Sequence, residues 1–165
     1  MYFHALPVSG TKDTPRTTTI PPRAAAREGA RKLLVAFDGS PAARGALDYA
    51  AGRAKAEGSS LHVVNVQEVL VDDEAILHAF RKFGVRILED AAELLAPHLI
   101  RFTSEIAFGS TARAIVRTAR RAGADHIVMG TRKRSGIASL LLPGVAPQVL
   151  RLADRPVTVI KEGTT

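Results

Sequence analysis

From residue 32 onward, short apolar runs alternate along the chain with longer segments of helical periodicity. The run at 33–37 is continuously apolar, which is typical of a strand buried on both faces. Residues 101–108 instead alternate apolar and polar positions, which suits a strand at a sheet edge. Further strands are predicted at 61–66, 125–129 and 156–160.

The helices between these strands have recognisable ends. Ser40 suits an N-cap, Pro41 suits the first helical position, and Gly58 suits a stop, so a helix is predicted over 41–57. Two shorter helices are predicted at 111–122 and, opened by Pro143, at 143–152.

The longest predicted helix spans 73–96 and ends before Pro97. Its apolar residues recur at steps of three or four, so they form one stripe that is expected to face the core. The stripe consists of Ile76, Phe80, Phe83, Ile87, Ala91 and Leu94.

This alternation of strands and helices predicts an α/β domain with a five-stranded, mainly parallel sheet and helices on both faces. Right-handed crossovers, with the first strand central, give the strand order 3-2-1-4-5. Ligands of such open sheets bind at the carboxyl ends of strands where the winding direction reverses. Here that point lies between strands one and four, so residues 37–40 and 129–145 are predicted to share a pocket.

Composition separates residues 1–30 from the rest of the chain. They hold four of the nine prolines and show no apolar periodicity, so a flexible N-terminal tail is predicted there, followed by one domain at 31–165. No apolar run reaches the roughly 18 residues that span a membrane, so no membrane partner is expected. The chain has no cysteine, which excludes a disulfide scaffold and is compatible with the predicted cytoplasmic location.

Charge and motifs exclude several classes of site. The net charge of +7 permits attraction to phosphate ligands, but aromatic side chains for stacking are few, so no dedicated nucleic-acid binding is expected. The glycine patterns of P-loop, dinucleotide-binding and hydrolase proteins are missing. The five histidines show no ligand spacing, so no metal site and no catalytic residue are predicted.

A basic loop follows the fourth predicted strand. Gly130 leaves that strand, Arg132, Lys133 and Arg134 follow, and Gly144 precedes the next apolar segment. Backbone N–H groups at a helix start favour anions, so one interpretation is a loop that faces phosphate. The other interpretation is an ordinary solvated basic loop.

Seven segments together carry a resemblance to a known family. They are VAFDGS at 35–40, HVV at 62–64, GADHIVMG at 123–130, RSG at 134–136, LLL at 140–142, VA at 145–146 and RPVTVI at 155–160. With these segments, residues 31–162 resemble the universal stress protein family, which implies the adenine-nucleotide α-hydrolase-like fold. The resemblance also implies a homodimer formed through the fifth strand and ATP or another adenine nucleotide as the cofactor.

In nucleotide-binding members, the loop after the fourth strand reads glycine, two residues, glycine, nine residues, glycine, then serine or threonine. Gly130 keeps the first position, whereas Lys133, Pro143 and Gly144 occupy the other three. Lysine has a restricted φ, and proline has no N–H to donate to phosphate. The resemblance therefore implies an adenine-nucleotide site with a degraded phosphate cradle.

The residues at the adenine end of the implied site agree better with the family's pattern than those of the phosphate loop do. Asp38 matches the family's acidic residue after the first strand, and Val63 matches the second-strand residue whose backbone touches adenine. The complete implied site, which would hold a small anionic ligand, consists of Asp38, Val63, Met129, Gly130, Arg132, Lys133, Gly144 and Val145.

The leading functional hypothesis is a binding or regulatory module of the stress response, without catalysis of its own. One alternative is an enzyme that slowly hydrolyses nucleotides or transfers phosphoryl groups, although Asp38 is the one carboxylate near the nominated pocket. The other alternative is an interaction protein that binds no nucleotide.

Overall fold

The computed structural model describes residues 17–18, 31–69, 73–131 and 144–163. A short 3-10 helix at Ala96–His98 follows the longest helix. The strands and helices, in chain order, are β1 (Thr17–Thr18), β2 (Lys32–Ala36), α1 (Pro41–Glu57), β3 (Ser60–Gln67), α2 (Glu74–Leu95), β4 (Phe102–Phe108), α3 (Thr111–Arg121), β5 (His126–Thr131), α4 (Val145–Leu152) and β6 (Val157–Lys161).

The sheet has the predicted winding. Its order is β1-β4-β3-β2-β5-β6, and β2 to β6 pair in parallel, so the predicted order 3-2-1-4-5 is confirmed for these five strands. The two-residue β1 adds an antiparallel edge beside β4, within the segment predicted as a tail. A run of β-branched residues at 17–20 was the available signal for it.

Helices cover both faces of the sheet, as predicted. Helices α1 and α2 pack on one face, and α3 and α4 pack on the other. Along β2, Leu33 and Val35 face α1 and α2, whereas Leu34 between them faces α3 and α4. All three are at most 1% exposed, which explains why this strand is apolar at successive positions.

The ends of α1 agree with the sequence, but the start of α4 does not. The Ser40 side chain accepts a hydrogen bond from the Ala43 N–H at 3.2 Å, and Gly58 closes α1 with a φ of 67°. The prediction that Pro143 opens the last helix was wrong, because the extended backbone of Gly144 (φ −178°, ψ 169°) separates Pro143 from α4. Pro143 itself lies outside the described residues.

One buried charged group lies on the α3 side of the sheet, away from the strand ends. The Glu105 carboxylate is ion-paired with Arg121, and the His62 Nε2 atom lies 3.7 Å from its Oε1 atom. Burial raises the pKa of Glu105, but the His62 ring and the Arg121 guanidinium lower it more strongly in sum. The net pKa lies below its ordinary value, so this carboxyl stays ionised within the folded domain.

Candidate functional site

A cavity of about 410 Å³ opens at the carboxyl ends of β2 and β5. These two central strands are neighbours in the sheet, and the chain winds away from them in opposite directions. This is the reversal point at which open α/β sheets bind ligands. The first turns of α1, α3 and α4 surround the opening.

The floor of the cavity is apolar. Ala36 of β2, Val64 and Val66 of β3, and Met129 of β5 line it from the sheet, and Ile115 lines it from α3. These side chains belong to, or pack against, the core between the sheet and helices α3 and α4. An apolar floor with a polar rim suits a planar heterocycle that carries polar substituents.

The turn between β2 and α1 forms one side of the rim. The Asp38 side chain accepts a hydrogen bond from the Ser40 N–H at 3.0 Å, and Gly39 between them has a φ of 79°. A positive φ is what glycine adopts without strain, so this tight turn requires glycine at position 39. The turn holds the exposed Asp38 carboxylate at the edge of the cavity.

The N-terminal turns of three helices form the remaining rim, where the Thr111 hydroxyl donates a hydrogen bond to the Glu68 carboxylate at 3.1 Å. Helices α1, α3 and α4 have no acidic residue in the first turn, whereas α2, which starts elsewhere, has Asp73 as its N-cap and then Glu74. The side chain of Ser110, the N-cap of α3, makes no hydrogen bond to its helix, and Gly144, the N-cap of α4, has no side chain that could make one. Backbone N–H groups and helix dipoles at these turns therefore favour an anion in the cavity.

Gly130 is where β5 meets the start of α1. A Cβ atom added there would lie 2.6 Å from the Ala43 nitrogen and still closer to the carbonyl group of Ala42. Such distances are far inside van der Waals contact, and backbone atoms cannot move aside cheaply. A glycine at position 130 thus lets the first turn of α1 approach β5 and close the back of the cavity.

The structure brings together most of the residues predicted for the site. Five of the eight line the cavity: Asp38, Met129, Gly130, Gly144 and Val145. Val63 does not, because its side chain is fully buried on the opposite face of the sheet, and the adjacent Val64 lines the cavity instead. Arg132 and Lys133 lie outside the described residues, and the binding role of all eight stays a prediction.

Asn65 of β3 is a positioning residue that the sequence analysis missed. Its side chain is 1% exposed, and its Nδ2 group donates a hydrogen bond of 2.8 Å to the Phe37 carbonyl oxygen, one residue before Asp38. Its Oδ1 atom accepts from the Gln67 amide. An amide between the apolar Val64 and Val66 was the available signal, since buried amides usually have a specific partner.

Replacing Asn65 with leucine should therefore loosen the turn that carries Asp38. The variant keeps a similar volume but removes the donor to the Phe37 carbonyl, so we expect a loss of about 1–3 kcal/mol in the free energy of unfolding. Urea denaturation measures this loss. Asn65→Asp keeps the shape but puts a carboxylate against the Phe37 carbonyl oxygen, so it should lose at least as much stability. Wild-type stability in both variants would contradict the positioning role.

The sequence model of the universal stress protein family matches residues 29–161, which is most of the chain. The chain belongs to the universal stress protein family. Among the described residues of this universal stress protein, no helix has the length and apolarity needed to cross a bilayer. Across the same residues, no group of three or more His, Cys, Asp or Glu side chains could hold a metal ion.

Several proteins are similar to this universal stress protein. The universal stress protein YxiE of Bacillus subtilis is 34% identical over 147 residues, covering 79% of this chain and 98% of YxiE. A crystal structure from Burkholderia pseudomallei is 33% identical with a TM-score of 0.62, covering 78% of this chain and 94% of that one. The Archaeoglobus fulgidus protein in complex with dAMP shares the fold at 24% identity and a TM-score of 0.59, covering 80% and 98%.

Proposed function

We propose that this universal stress protein binds an adenine nucleotide in the cavity and acts in the cytoplasm as a binding or regulatory module of the stress response. The observation that carries the proposal is the meeting of the Asp38 turn and the Gly130 strand end at one cavity. The apolar floor suits the adenine ring, and the three helix N-termini suit the phosphate. A nucleotide-bound relative with the same fold, the dAMP complex, supports the choice of ligand.

Phosphate binding is the weaker part of the proposed site. Gly144 offers no hydroxyl group, and Pro147, in the first turn of α4, has no N–H to donate. Among the lining residues, the first turn of α4 therefore supplies the N–H groups of Val145 and Ala146. Binding should depend mainly on the adenine and ribose, with little added affinity from the second and third phosphates.

We propose that the module is not an enzyme. Phosphoryl transfer usually needs carboxylates that hold a metal ion and a group that positions the attacking oxygen. Among the described residues that line the cavity, Asp38 is the one carboxylate, and one of its oxygens already accepts the Ser40 N–H. Slow nucleotide hydrolysis remains the alternative, and magnesium-dependent turnover that disappears in Asp38→Asn would favour it.

Equilibrium dialysis with labelled AMP and ATP tests the proposed function. We expect both nucleotides to be retained with dissociation constants within about threefold of each other, and Asp38→Asn to weaken both by about tenfold, since a hydrogen bond to a charged group is lost. Asp48→Asn, an exposed change on the outer side of α1, is the matched control. Failure of the wild-type chain to retain either nucleotide at millimolar concentration would overturn the proposal and favour an interaction protein.

We further propose that two copies associate through β6. Within the described residues this strand pairs only with β5, and its apolar side chains Val157, Val159 and Ile160 are partly exposed. Such an edge is usually covered, and a two-fold contact is the commonest way to cover it. Light scattering at micromolar concentration should give twice the 17.6 kDa of one chain, and a monomer mass would contradict the proposed dimer.

A further inference from the structure

The apolar stripe of α2 continues past the part of the helix that is buried. The buried residues of α2 begin at Gly84, and none of the residues 74–83 is buried. Ile76 and Phe80 precede Gly84 at steps of four, so they lie on the same face of the helix that packs into the core farther along. They are 39% and 37% exposed, and the neighbouring Phe83 is 57% exposed.

This uncovered part of α2, the overhang face of Ile76, Phe80 and Phe83, lies beside the carboxyl end of β4. The Ile106 side chain lies close to Gly84, because a Cβ added there would be 3.0 Å from it. The Arg81 guanidinium lies over the Phe108 ring, 5.7 Å from its centroid. The first turns of α2 therefore extend past Phe108, beyond the carboxyl end of β4.

The direction of β1 along β4 shows from which end of β4 the chain enters the sheet. Thr18 pairs with Ser104 and Thr17 pairs with Glu105, and the two strands are antiparallel. Moving from Thr18 to Thr17 thus moves along β4 toward Phe108, the end that lies under Arg81. The chain therefore enters β1 from the end of β4 that lies beside the overhang face.

We propose that residues 1–8 of this chain pack against the overhang face. This octet, MYFHALPV, has no acidic residue, lysine or arginine and contains two of the eight aromatic residues of the chain. The eight residues that separate it from Thr17 span up to about 26 Å when extended. The overhang face is about 10 Å long, since Ile76 and Phe83 are seven helical residues apart. Tethering also keeps the octet at a millimolar effective concentration, so a few apolar contacts suffice.

A spin label tests this packing cleanly because the chain has no cysteine of its own. Ala5→Cys in the full chain is labelled with a nitroxide, and backbone amide signals are compared before and after reduction of the label. We expect the amides of 76–83 to lose more than half of their intensity while the nitroxide is active. Adding Tyr2→Ser and Phe3→Ser should restore them, whereas Thr11→Ser and Lys12→Ser in the same tail should not.

The matched control is a label at Arg151→Cys, which is exposed on α4 on the other face of the sheet and should leave these amides unchanged. Full intensity at 76–83 with the label at residue 5 would overturn the proposal. The remaining possibility is that a second copy covers the overhang face. A mixture of spin-labelled chain with isotope-enriched chain that carries no spin label tests it. Loss of intensity at 76–83 in the mixture, where the label and the observed amides are on different chains, would assign the overhang face to a second copy and also overturn the proposal.

Discussion

Gly130→Ala is expected to lower the free energy of unfolding by about 3 kcal/mol or more. The added methyl group would occupy space taken by the backbone of Ala42 and Ala43, where it would lie 2.6 Å or less from backbone atoms. Either α1 moves away from β5 or the end of β5 shifts, and both movements disturb the core packing that surrounds the cavity. Urea or thermal denaturation measures the loss.

Gly52→Ala is the matched control for this variant. Gly52 lies inside α1, the helix that Gly130 contacts, and a Cβ added there meets nothing within 4 Å. Alanine at an open interior helix position should stabilise the chain by about 0.5–1 kcal/mol, because glycine loses more backbone entropy on folding. Equal stabilities of Gly130→Ala and the wild type would show that α1 and β5 do not need their close approach.

The order of the five parallel strands could be predicted because each local signal agreed with the global winding. The cap of α1 shows this most clearly, since Ser40, Pro41 and Gly58 act within the chain segment that contains them. The start of α4 could not be predicted in the same way. Pro143 and Pro147 both suit a first helical turn, and the conformation of Gly144 decides between them.

The apolar stripe of α2 shows a second limit of sequence reasoning. Periodicity predicts which side of a helix is apolar, but it does not show how far along the helix the sheet extends. Ile87 and Ala91 are buried as expected, whereas Phe80 and Phe83, near the carboxyl end of β4, and Leu94, near the other end of the helix, are exposed. Whether such residues become buried depends on contacts with parts of the chain that are remote in sequence.

Sheet topology alone predicted which strand ends meet at the candidate site. It did not predict which side chains of β3 line the cavity or support its rim. The ends of β2 and β5 had to meet at the reversal point, so Asp38 and Gly130 were placed correctly beside one cavity. Val64 rather than Val63 lines the cavity, since successive side chains of a strand point to opposite faces, and the contact predicted for the Val63 backbone stays a prediction. Asn65 was missed because its partner, the Phe37 carbonyl, belongs to another strand end.

Restoring the family's loop pattern with Lys133→Gly, Pro143→Gly and Gly144→Ser should raise the affinity for ATP by about 10- to 100-fold. The change returns an N–H at position 143 and a hydroxyl at position 144. One hydrogen bond to a charged phosphate contributes about 1.5–3 kcal/mol, so the expected gain corresponds to one such bond. Glycine at position 133 also lets the backbone approach the phosphates closely. Equilibrium dialysis of labelled ATP measures the gain.

The affinity for adenosine distinguishes a gain in phosphate binding from a general change in the cavity. Because adenosine carries no phosphate, its affinity should stay within about twofold of wild type in the same variant. A second control combines Lys133→Ala with the other two changes. It removes the lysine charge but retains a Cβ, so it should recover only part of the gain. Tight ATP binding by the unmodified chain, or an equal gain for adenosine, would contradict the inference that Lys133, Pro143 and Gly144 weaken phosphate binding.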